Sequence, residues 1–589
     1  MTDVGLTAAE AIVEWYWKHG IARQGAYAIS PVWLKNLYQR RDLLRSIENG
    51  RFQKKASLGL WGPSQSGKST LISQFVDQGA DTSGKGGSLH WSSPTLFSSR
   101  DELPSEVIVF NPHNVGADAS GCVSRFVLRE DSEVPFHDFP VELRLLNPSQ
   151  LMHAISAGYL SECQREDNWT VERLEELLEK TSGPFLRVDR QAFEQLHEVT
   201  DIIGMLIEAR DERFTGLDAG GKWSSLSNRV IESRFLLSDK SKVWDFAAKL
   251  LWGGQASLTR LYERLMKVRE KLPNACLYCS MEVAATLVNI ESYRIFRATG
   301  NEELLPKGAR RIKDVIRHLS WEDRGCNAVV GTNFPQMKLL EKDDDFGLLQ
   351  GLVRELIIPL RSQKYQGGEN QSSDFSRFMK SAELVDFPGV PLRDQNAKEK
   401  LLDLSSLPDS DDARLLTDVL KRGKVASLVI GYSRSLGLDA FMLLVRAGHF
   451  APKPEQLHRG LIAWWKFVDP KYDVHKPQGR AAPLPLFFNM TFFANIIDKV
   501  AQGAVSTGLH PLTEMVKQLE PFVDPNVCTM LTTTYPQFKK EGGIDSSRAS
   551  VDLAIKSILD DPSFGPRCAA RVTKESGMSR VLLKLTLAS

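Results

Sequence analysis

The feature that most constrains the fold is a phosphate-loop pattern. Residues 62–69 read GPSQSGKS and match the form GxxxxGK followed by Ser or Thr. The apolar residues 56–61 ahead of it predict a short buried strand, and residues 69–76 behind it have the apolar spacing of a helix. This order lets backbone N–H groups of the loop and the helix cradle nucleotide phosphates. The pattern therefore predicts a P-loop nucleotide-binding α/β domain.

Within this loop, two side chains have specific expected roles. Lys68 is expected to reach the β- and γ-phosphates, and the hydroxyl of Ser69 is expected to bind Mg²⁺. The remaining loop residues contribute mainly backbone groups. The expected nucleotide-binding residues of the loop are Gly62, Pro63, Ser64, Gln65, Ser66, Gly67, Lys68, Ser69 and Thr70.

Composition describes a large globular chain. Its 589 residues suggest roughly three or four domains, and 42% hydrophobic with 25% charged residues is ordinary for such proteins. A formal net charge of +1 gives no general attraction for nucleic acid or anionic membrane. Residues 1–4 begin no signal-peptide pattern, the apolar stretch 484–497 is too short and interrupted to span a bilayer, and seven scattered cysteines favour a reducing compartment. We expect a cytoplasmic protein without a nucleic-acid or membrane partner.

Periodicity divides the chain into helix-rich and strand-rich parts. Helical patterns dominate residues 7–50 and about 140–370, whereas strand-like apolar runs resume at residue 382. The fold class predicted is α/β: a GTPase-like P-loop domain, interrupted by a large α-helical insertion and preceded by N-terminal helices. The predicted segments are an N-terminal helical segment (1–52), the first part of the P-loop domain (53–139), the helical insertion (140–372), the second part of the P-loop domain (373–540) and a C-terminal segment (541–589).

Individual elements follow from the same patterns. Predicted helices cover 7–19, 31–47, 148–163, 170–180, 189–208, 242–251 and 258–272. Predicted strands cover 56–61, 106–110, 125–128, 382–386, 425–430, 441–445, 484–493 and 527–532.

A second motif supplies the acidic residue that the expected phosphate site requires. P-loop proteins hold Mg²⁺ with an acidic residue at the end of a neighbouring strand. Residues 383–389 read ELVDFPG, in which apolar strand residues precede Asp386 and a DxxG turn. This favours Asp386 as the Mg²⁺-linked carboxylate and Gly389 as a backbone contact to nucleotide. An ordinary turn aspartate is the alternative.

A switch-like motif adds a resemblance to the dynamin branch of GTPases. Residues 120–125 read SGCVSR and resemble that family's pattern Ser-Gly-x-Val-Thr-Arg, and DFPG at 386–389 is similar to its Asp-x-Pro-Gly. The resemblance implies that Ser124 contacts Mg²⁺ and the attacking water. Arg125 is then a candidate for neutralising transition-state charge, with a salt-bridged or solvated arginine as the alternative. Dynamins usually carry Ser where this chain has Gln65, which could orient the water or could mark slow hydrolysis.

Base recognition departs from the GTPase pattern. GTPases read guanine with Thr or Asn followed by Lys-x-Asp, but residues 491–494 read TFFA. Thr491 is retained, whereas the Lys and Asp are missing, so guanine is read by other residues or is not read. Thr534, just past the last predicted strand, is a second candidate near the base, and a loop-lining role is its alternative. The expected nucleotide is therefore GTP or ATP.

Three further stretches are similar to the SrfC-like "putative virulence factor" family of bacterial P-loop proteins. They are LLNPSQL at 145–151, LWGG at 251–254 and GKVASL at 423–428. With the nucleotide motifs, the similarity covers most of residues 60–540. The family's name states no demonstrated activity.

These motifs predict a dynamin-like GTPase or NTPase switch. It would hydrolyse the γ-phosphate with Mg²⁺ and signal through the helical insertion to a protein partner, and the dynamin resemblance implies that two copies could pair across the nucleotide face. The alternative is a catalytically weak nucleotide-binding subunit of a multi-protein virulence or defence complex. The catalytic candidates are Lys68, Gln65, Ser124 and Arg125, and the Mg²⁺ candidates are Ser69, Ser124 and Asp386.

Overall fold

The structure is a computed structural model of the chain, and its described residues form a mixed α/β fold with one ten-stranded sheet. None of the helices in these residues is long and apolar enough to cross a membrane. The described residues are 2–20, 30–52, 55–62, 68, 121–129, 140–163, 168–180, 188–208, 213–218, 221–233, 236–271, 276–279, 284, 287, 319–322, 343–361, 379–388, 413–434, 438–446, 486–491 and 529–532.

The strands of this sheet come from both ends and the middle of the described chain. Their spatial order is β10-β9-β8-β1-β7-β2-β6-β3-β4-β5. In chain order they are β1 Ala56–Trp61, β2 Val123–Arg129, β3 Val141–Leu145, β4 Cys276–Cys279, β5 Leu319–Glu322, β6 Val353–Arg361, β7 Ala382–Asp386, β8 Ala440–Arg446, β9 Leu486–Thr491 and β10 Thr529–Thr532.

The sheet has a parallel half and a mixed half, which meet at the antiparallel pairing of β7 with β2. The five strands β10, β9, β8, β1 and β7 are parallel to one another. The strand β2 runs antiparallel to β7 and parallel to β6, and β3, β4 and β5 continue with antiparallel pairings. The chain passes from β1 to β2 on one side of the sheet and from β8 to β9 on the other, so the carboxyl ends of β1 and β8 lie at a topological switch point, where open α/β sheets bind ligands.

The central strand β1 is buried along nearly its whole length. Leu58, Leu60 and Trp61 are almost fully inaccessible, as expected for a parallel strand covered on both faces. Its amino end is fixed to the turn before β8, because the Ser57 amide donates to Asp439 Oδ2 at 2.8 Å and the Asp439 amide donates to Ser57 O at 3.0 Å. The strand that precedes the phosphate-loop motif is therefore firmly placed.

The helices of the described residues begin and end where the sequence gives clear signals. The helix Pro148–Glu162 starts at a capping box: the Asn147 side chain accepts from the Gln150 amide, the Gln150 side chain accepts from the Asn147 amide, and Pro148 takes the first helical position. The helix Lys240–Trp252 is capped at its amino end by Asp239 and at its carboxyl end by Gly253, which has a left-handed φ of 65°. The helices are α1 Thr2–Trp15, α2 Pro31–Phe52, α3 Pro148–Glu162, α4 Val171–Lys180, α5 Arg190–Glu208, α6 Trp223–Ile231, α7 Lys240–Trp252, α8 Ala256–Lys271, α9 Asp343–Leu352 and α10 Ala413–Arg434.

The long helix α10 packs against the sheet near the end of β7 and crosses α3 closely. The Tyr432 ring meets Phe387 edge-on at 5.3 Å between ring centroids, just past the end of β7. At the crossing with α3, a Cβ added to Gly423 would lie 1.9 Å from the Ala154 carbonyl oxygen, and one added to Gly158 would lie 2.1 Å from that of Val419. Only glycine permits this backbone-to-backbone approach.

The N-terminal helices dock against the helices that follow β3. The Tyr38 hydroxyl on α2 donates to Glu194 Oε1 on α5 at 2.8 Å and accepts from the Trp17 indole at 2.8 Å. The buried amine of Lys35 donates to Ser227 Oγ on α6 at 2.7 Å. The helix α2 is therefore tied to the region predicted as an insertion.

Most predicted elements are confirmed within a few residues, and one is wrong. Residues 425–430, predicted as a strand, lie inside α10, because Leu420, Leu428 and Tyr432 are buried at helical spacing along a longer run. The predicted strand at 106–110 lies outside the described residues.

The region predicted as a helical insertion is only partly helical. It carries the helices α3 to α9, but it also contributes β3, β4, β5 and β6 to the main sheet. The segment predicted as a large α-helical insertion therefore also contains short edge strands and one long buried strand of the main sheet. The domain bounds stay a prediction.

Candidate functional site

The candidate site lies at the carboxyl ends of β1 and β7. The chain leaves β1 at Trp61 and continues to Gly62 and, six residues on, to Lys68, whose side chain is buried. The Lys68 amine donates to the Gly62 carbonyl oxygen at 3.0 Å. The lysine predicted from the motif is therefore folded back over the end of the central strand.

Asp386 is the last residue of the neighbouring strand β7, and its carboxylate lies near the Lys68 amine. It is in register with Leu60 of β1, one residue before that strand ends. The next residue, Phe387, prolongs the pairing, because its amide donates to the Leu60 carbonyl oxygen at 3.0 Å. The Oδ1 atom of Asp386 is buried and has no hydrogen-bond partner in the described part of the chain. Such an orphaned carboxylate oxygen is costly to bury unless something binds it.

Burial shifts the pKa values of both Lys68 and Asp386, and the charge of each opposes the shift of the other. Burial raises the pKa of Asp386 to about 7, and the positive charge of Lys68 acts in the opposite direction. Burial lowers the pKa of Lys68 to about 8, against the opposing effect of Asp386. Shifts of this kind, caused by burial beside a specific charge partner, cluster at functional sites.

Ser124 lies directly opposite Asp386 on the adjacent strand β2. The antiparallel pairing of β2 with β7 matches Ser124 with Asp386, and the Ser124 side chain is buried. Residues opposite each other in such a pair share one face and have Cβ atoms about 4.5–5.5 Å apart. The structure therefore brings Lys68, Asp386 and Ser124 together at one edge of the sheet.

Arg125 points to the opposite face, since successive side chains alternate along a strand. Its guanidinium donates to Glu355 Oε1 at 2.6 Å and to Glu383 Oε2 at 2.9 Å, and all three side chains are buried. This is the salt-bridged alternative that the sequence left open. Arg125 is therefore not grouped with Lys68, Ser124 and Asp386.

Two glutamates in this arrangement were not identified from the sequence. Glu355 and Glu383 each lie inside an otherwise apolar strand and are both buried. A charged residue within a buried strand was the available signal, because such groups are rarely buried without a partner. The partner, Arg125, lies more than two hundred residues away in sequence.

The other predicted site residues are only partly described. Thr491 ends β9, in register with Arg446 of β8, and so lies two strands from β1 at the same edge. The remaining predicted site residues lie outside the described residues: Pro63, Ser64, Gln65, Ser66, Gly67, Ser69, Thr70, Gly389 and Thr534.

Comparison with known proteins gives one family match. Residues 34–320 match the model of the family described as "Putative bacterial virulence factor". This match supports the assignment to the virulence-factor family made from the motifs at 145–151 and 251–254. No curated protein matches the chain.

Proposed function

We propose that this chain is a P-loop nucleoside-triphosphate-binding protein that hydrolyses the γ-phosphate with Mg²⁺. The carrying observation is the orphaned Oδ1 of Asp386 at the strand end beside the buried amine of Lys68. The strand order supports the proposal, because the carboxyl end of β1 lies at the switch point of the sheet. The GPSQSGKS motif, which contains Lys68, begins directly after β1, where the topology favours a ligand.

The residues present fit a Mg²⁺–nucleotide. The Asp386 carboxylate suits the water-mediated role that a neighbouring-strand acid has in P-loop proteins, because its Oδ1 has no hydrogen-bond partner among the described residues. The hydroxyl of Ser124, on the facing strand, suits contact with the same ion or with the attacking water. A bound Mg²⁺, held through Asp386 and Ser124, would supply positive charge that stabilises the charge developing on the phosphates.

Nucleotide binding would change the hydrogen-bond acceptor of the Lys68 amine. Its bond to the Gly62 carbonyl is a neutral-acceptor contact for a buried cation, and a phosphate would be a stronger, charge-assisted acceptor. In the bound form we expect Lys68 to turn to the β- and γ-phosphates and remain fully protonated. Its positive charge then stabilises the transition state for in-line attack by water.

The finer parts of the proposal rest on the sequence. The dynamin-like switch, the choice between GTP and ATP, pairing of two copies and signalling to a protein partner follow from the motifs and their resemblance. Thr491 of β9 is the described residue nearest in topology to the expected base site. A chain that binds nucleotide without turnover would correspond to the weak subunit considered above.

The test is equilibrium binding by the Lys68→Ala variant. We expect Mg²⁺-dependent affinity for triphosphate to fall at least about a hundredfold, because a charge-assisted contact is lost. The matched control is Lys55→Ala, which removes a lysine at the other end of β1, where it binds the carbonyl oxygens of Leu128 and Met379. Equal affinities in the wild type and in Lys68→Ala would contradict the proposal.

A further inference from the structure

The buried ion network around Arg125 lies directly behind the proposed metal site. Arg125 follows Ser124 in β2, and Glu383 precedes Asp386 by three residues in β7. The Arg125–Glu383 contact at 2.9 Å therefore joins the two strands that present Ser124 and Asp386. The second contact, to Glu355 at 2.6 Å, adds β6 to the same unit.

The Arg125–Glu383 contact lies where the backbone pairing of β2 with β7 is short. The pairing of β2 with β7 covers only 124–126 against 384–386, and Ser124 and Asp386 form its last pair. By contrast, β2 pairs with β6 over the whole of 123–129. The antiparallel β2–β7 contact is thus the place where the two halves of the sheet could slide or separate.

Burial makes the network rigid. The side chains of Arg125 and Glu355 are 3% and 1% exposed, and that of Glu383 is 11% exposed. The arginines around Glu355 hold its pKa at about 2, although burial alone would raise it. Glu355 is therefore charged, and the guanidinium donates one hydrogen bond to each of the two carboxylates.

We propose that Arg125 is a positioning residue, which locks β2 onto β7 through Glu383 so that Ser124 and Asp386 stay at the spacing that one Mg²⁺ requires. This inference rests on the proposed function. It replaces the expectation that Arg125 neutralises transition-state charge, since Arg125 faces the other side of the sheet. A displacement of about 1 Å at a metal or catalytic site can cost a hundredfold in rate or affinity.

The experiment compares Glu383→Gln with Glu142→Gln. Both remove a carboxylate charge from an arginine of the same network, but Glu142 pairs with Arg144 on β3, beyond β6. Binding of GTP and ATP is measured with Mg²⁺ and with EDTA, together with steady-state phosphate release. We expect Glu383→Gln to lose at least tenfold of the Mg²⁺-dependent gain in affinity while its affinity in EDTA stays unchanged, and Glu142→Gln to keep both values.

The outcomes separate the possible errors. Equal loss in both variants, or no loss in Glu383→Gln, would overturn the positioning role while leaving the proposed function intact. A fall in kcat with unchanged Mg²⁺ dependence would also overturn it, because the network would then act on the reaction and not through the spacing of the Mg²⁺ ligands. No Mg²⁺-dependent binding by the wild type would overturn the proposed function itself. Arg125→Lys, which can reach only one of the two carboxylates, is the second variant if Glu383→Gln does not fold, and we expect the same selective loss.

Discussion

Replacing Gly423 with alanine should loosen the crossing of α3 and α10. The added Cβ would lie 1.9 Å from the Ala154 carbonyl oxygen and 2.4 Å from the Gly158 amide nitrogen. Favourable contact begins near 3.5 Å, so the two helices would have to separate by about 1.6 Å. The clashing atoms belong to the backbone and cannot turn away as a side chain would.

The size of the effect follows from two opposing terms. Overpacking of this kind costs about 1–3 kcal/mol, and the rigid backbone places Gly423 at the upper end. Alanine regains about 1 kcal/mol of helix propensity relative to glycine. We therefore expect a net loss of about 2 kcal/mol in the free energy of unfolding.

A matched control lies two turns further along the same helix. A Cβ added to Gly431 meets nothing within 4 Å, so Gly431→Ala should gain up to about 1 kcal/mol from propensity alone. Urea unfolding of the two variants and the wild type, followed by circular dichroism, measures both changes. A Gly423→Ala variant as stable as Gly431→Ala would refute the close crossing and the arrangement of helices derived from it.

Four further predictions concern the candidate site and its support. Because the pKa of Asp386 is raised to about 7 and that of Lys68 is lowered to about 8, Mg²⁺-dependent nucleotide affinity should rise about tenfold per pH unit as the pH increases to 7 and should fall again above pH 8; a flat titration would contradict this. Asp386→Asn should bind triphosphate equally with Mg²⁺ and with EDTA, and Ser124→Ala should lower the rate of phosphate release with little change in binding; wild-type behaviour in either variant would show that its residue is wrongly assigned. Lys424→Met should lower the free energy of unfolding by about 1–3 kcal/mol in urea, because the buried amine donates at 2.8 and 2.7 Å to the carbonyl oxygens of Gln350 and Val353; unchanged stability would contradict that role.

The sign of the pH effect follows from competition between a proton and the cation. A proton on Asp386 must leave before the carboxylate can act on Mg²⁺, and the raised pKa delays that loss to near neutral pH. For the ligand-free protein the same shift makes stability fall as the pH rises from about 4 to about 7, because the unfolded chain releases this proton more readily. Ligand affinity and ligand-free stability should therefore change in opposite directions over that range.

The parallel half of the sheet could be predicted from the sequence because its signals are local. The strands at 56–61, 382–386 and 441–445 are short apolar runs next to recognisable turns, and the structure contains each of them within one residue. The positions of Lys68 and Asp386 followed from strand ends, since a motif at the end of a buried strand fixes where its side chain emerges.

In the other half, β2 matches the strand predicted at 125–128, but the short edge strands could not be predicted because they depend on distant contacts. The strands β4 and β5 have four residues each, too few for a periodic pattern, and both become strands by pairing at the edge of the sheet. The apolar run at 425–430 satisfies strand and helix patterns alike, and only the continuation from 413 to 434 makes it a helix.

Arg125 shows the same limit at the level of a single residue. Its position beside Ser124 in a switch-like motif suggested a catalytic role, whereas its partners are 230 and 258 residues away in sequence. Spacing along one strand shows that Ser124 and Arg125 face opposite sides of the sheet, but it cannot show which carboxylates bind the Arg125 side chain. That assignment required the neighbouring strands β6 and β7.

The most direct test of the central claim is equilibrium binding of GTP and ATP to the wild-type chain, with Mg²⁺ and with EDTA. The arrangement of Lys68, Asp386 and Ser124 predicts saturable binding of at least one triphosphate that is strengthened by Mg²⁺. A preference for GTP would indicate that residues near Thr491 and Thr534 rebuild guanine recognition, and equal binding would indicate that the base is not read. No binding of either triphosphate would contradict the account.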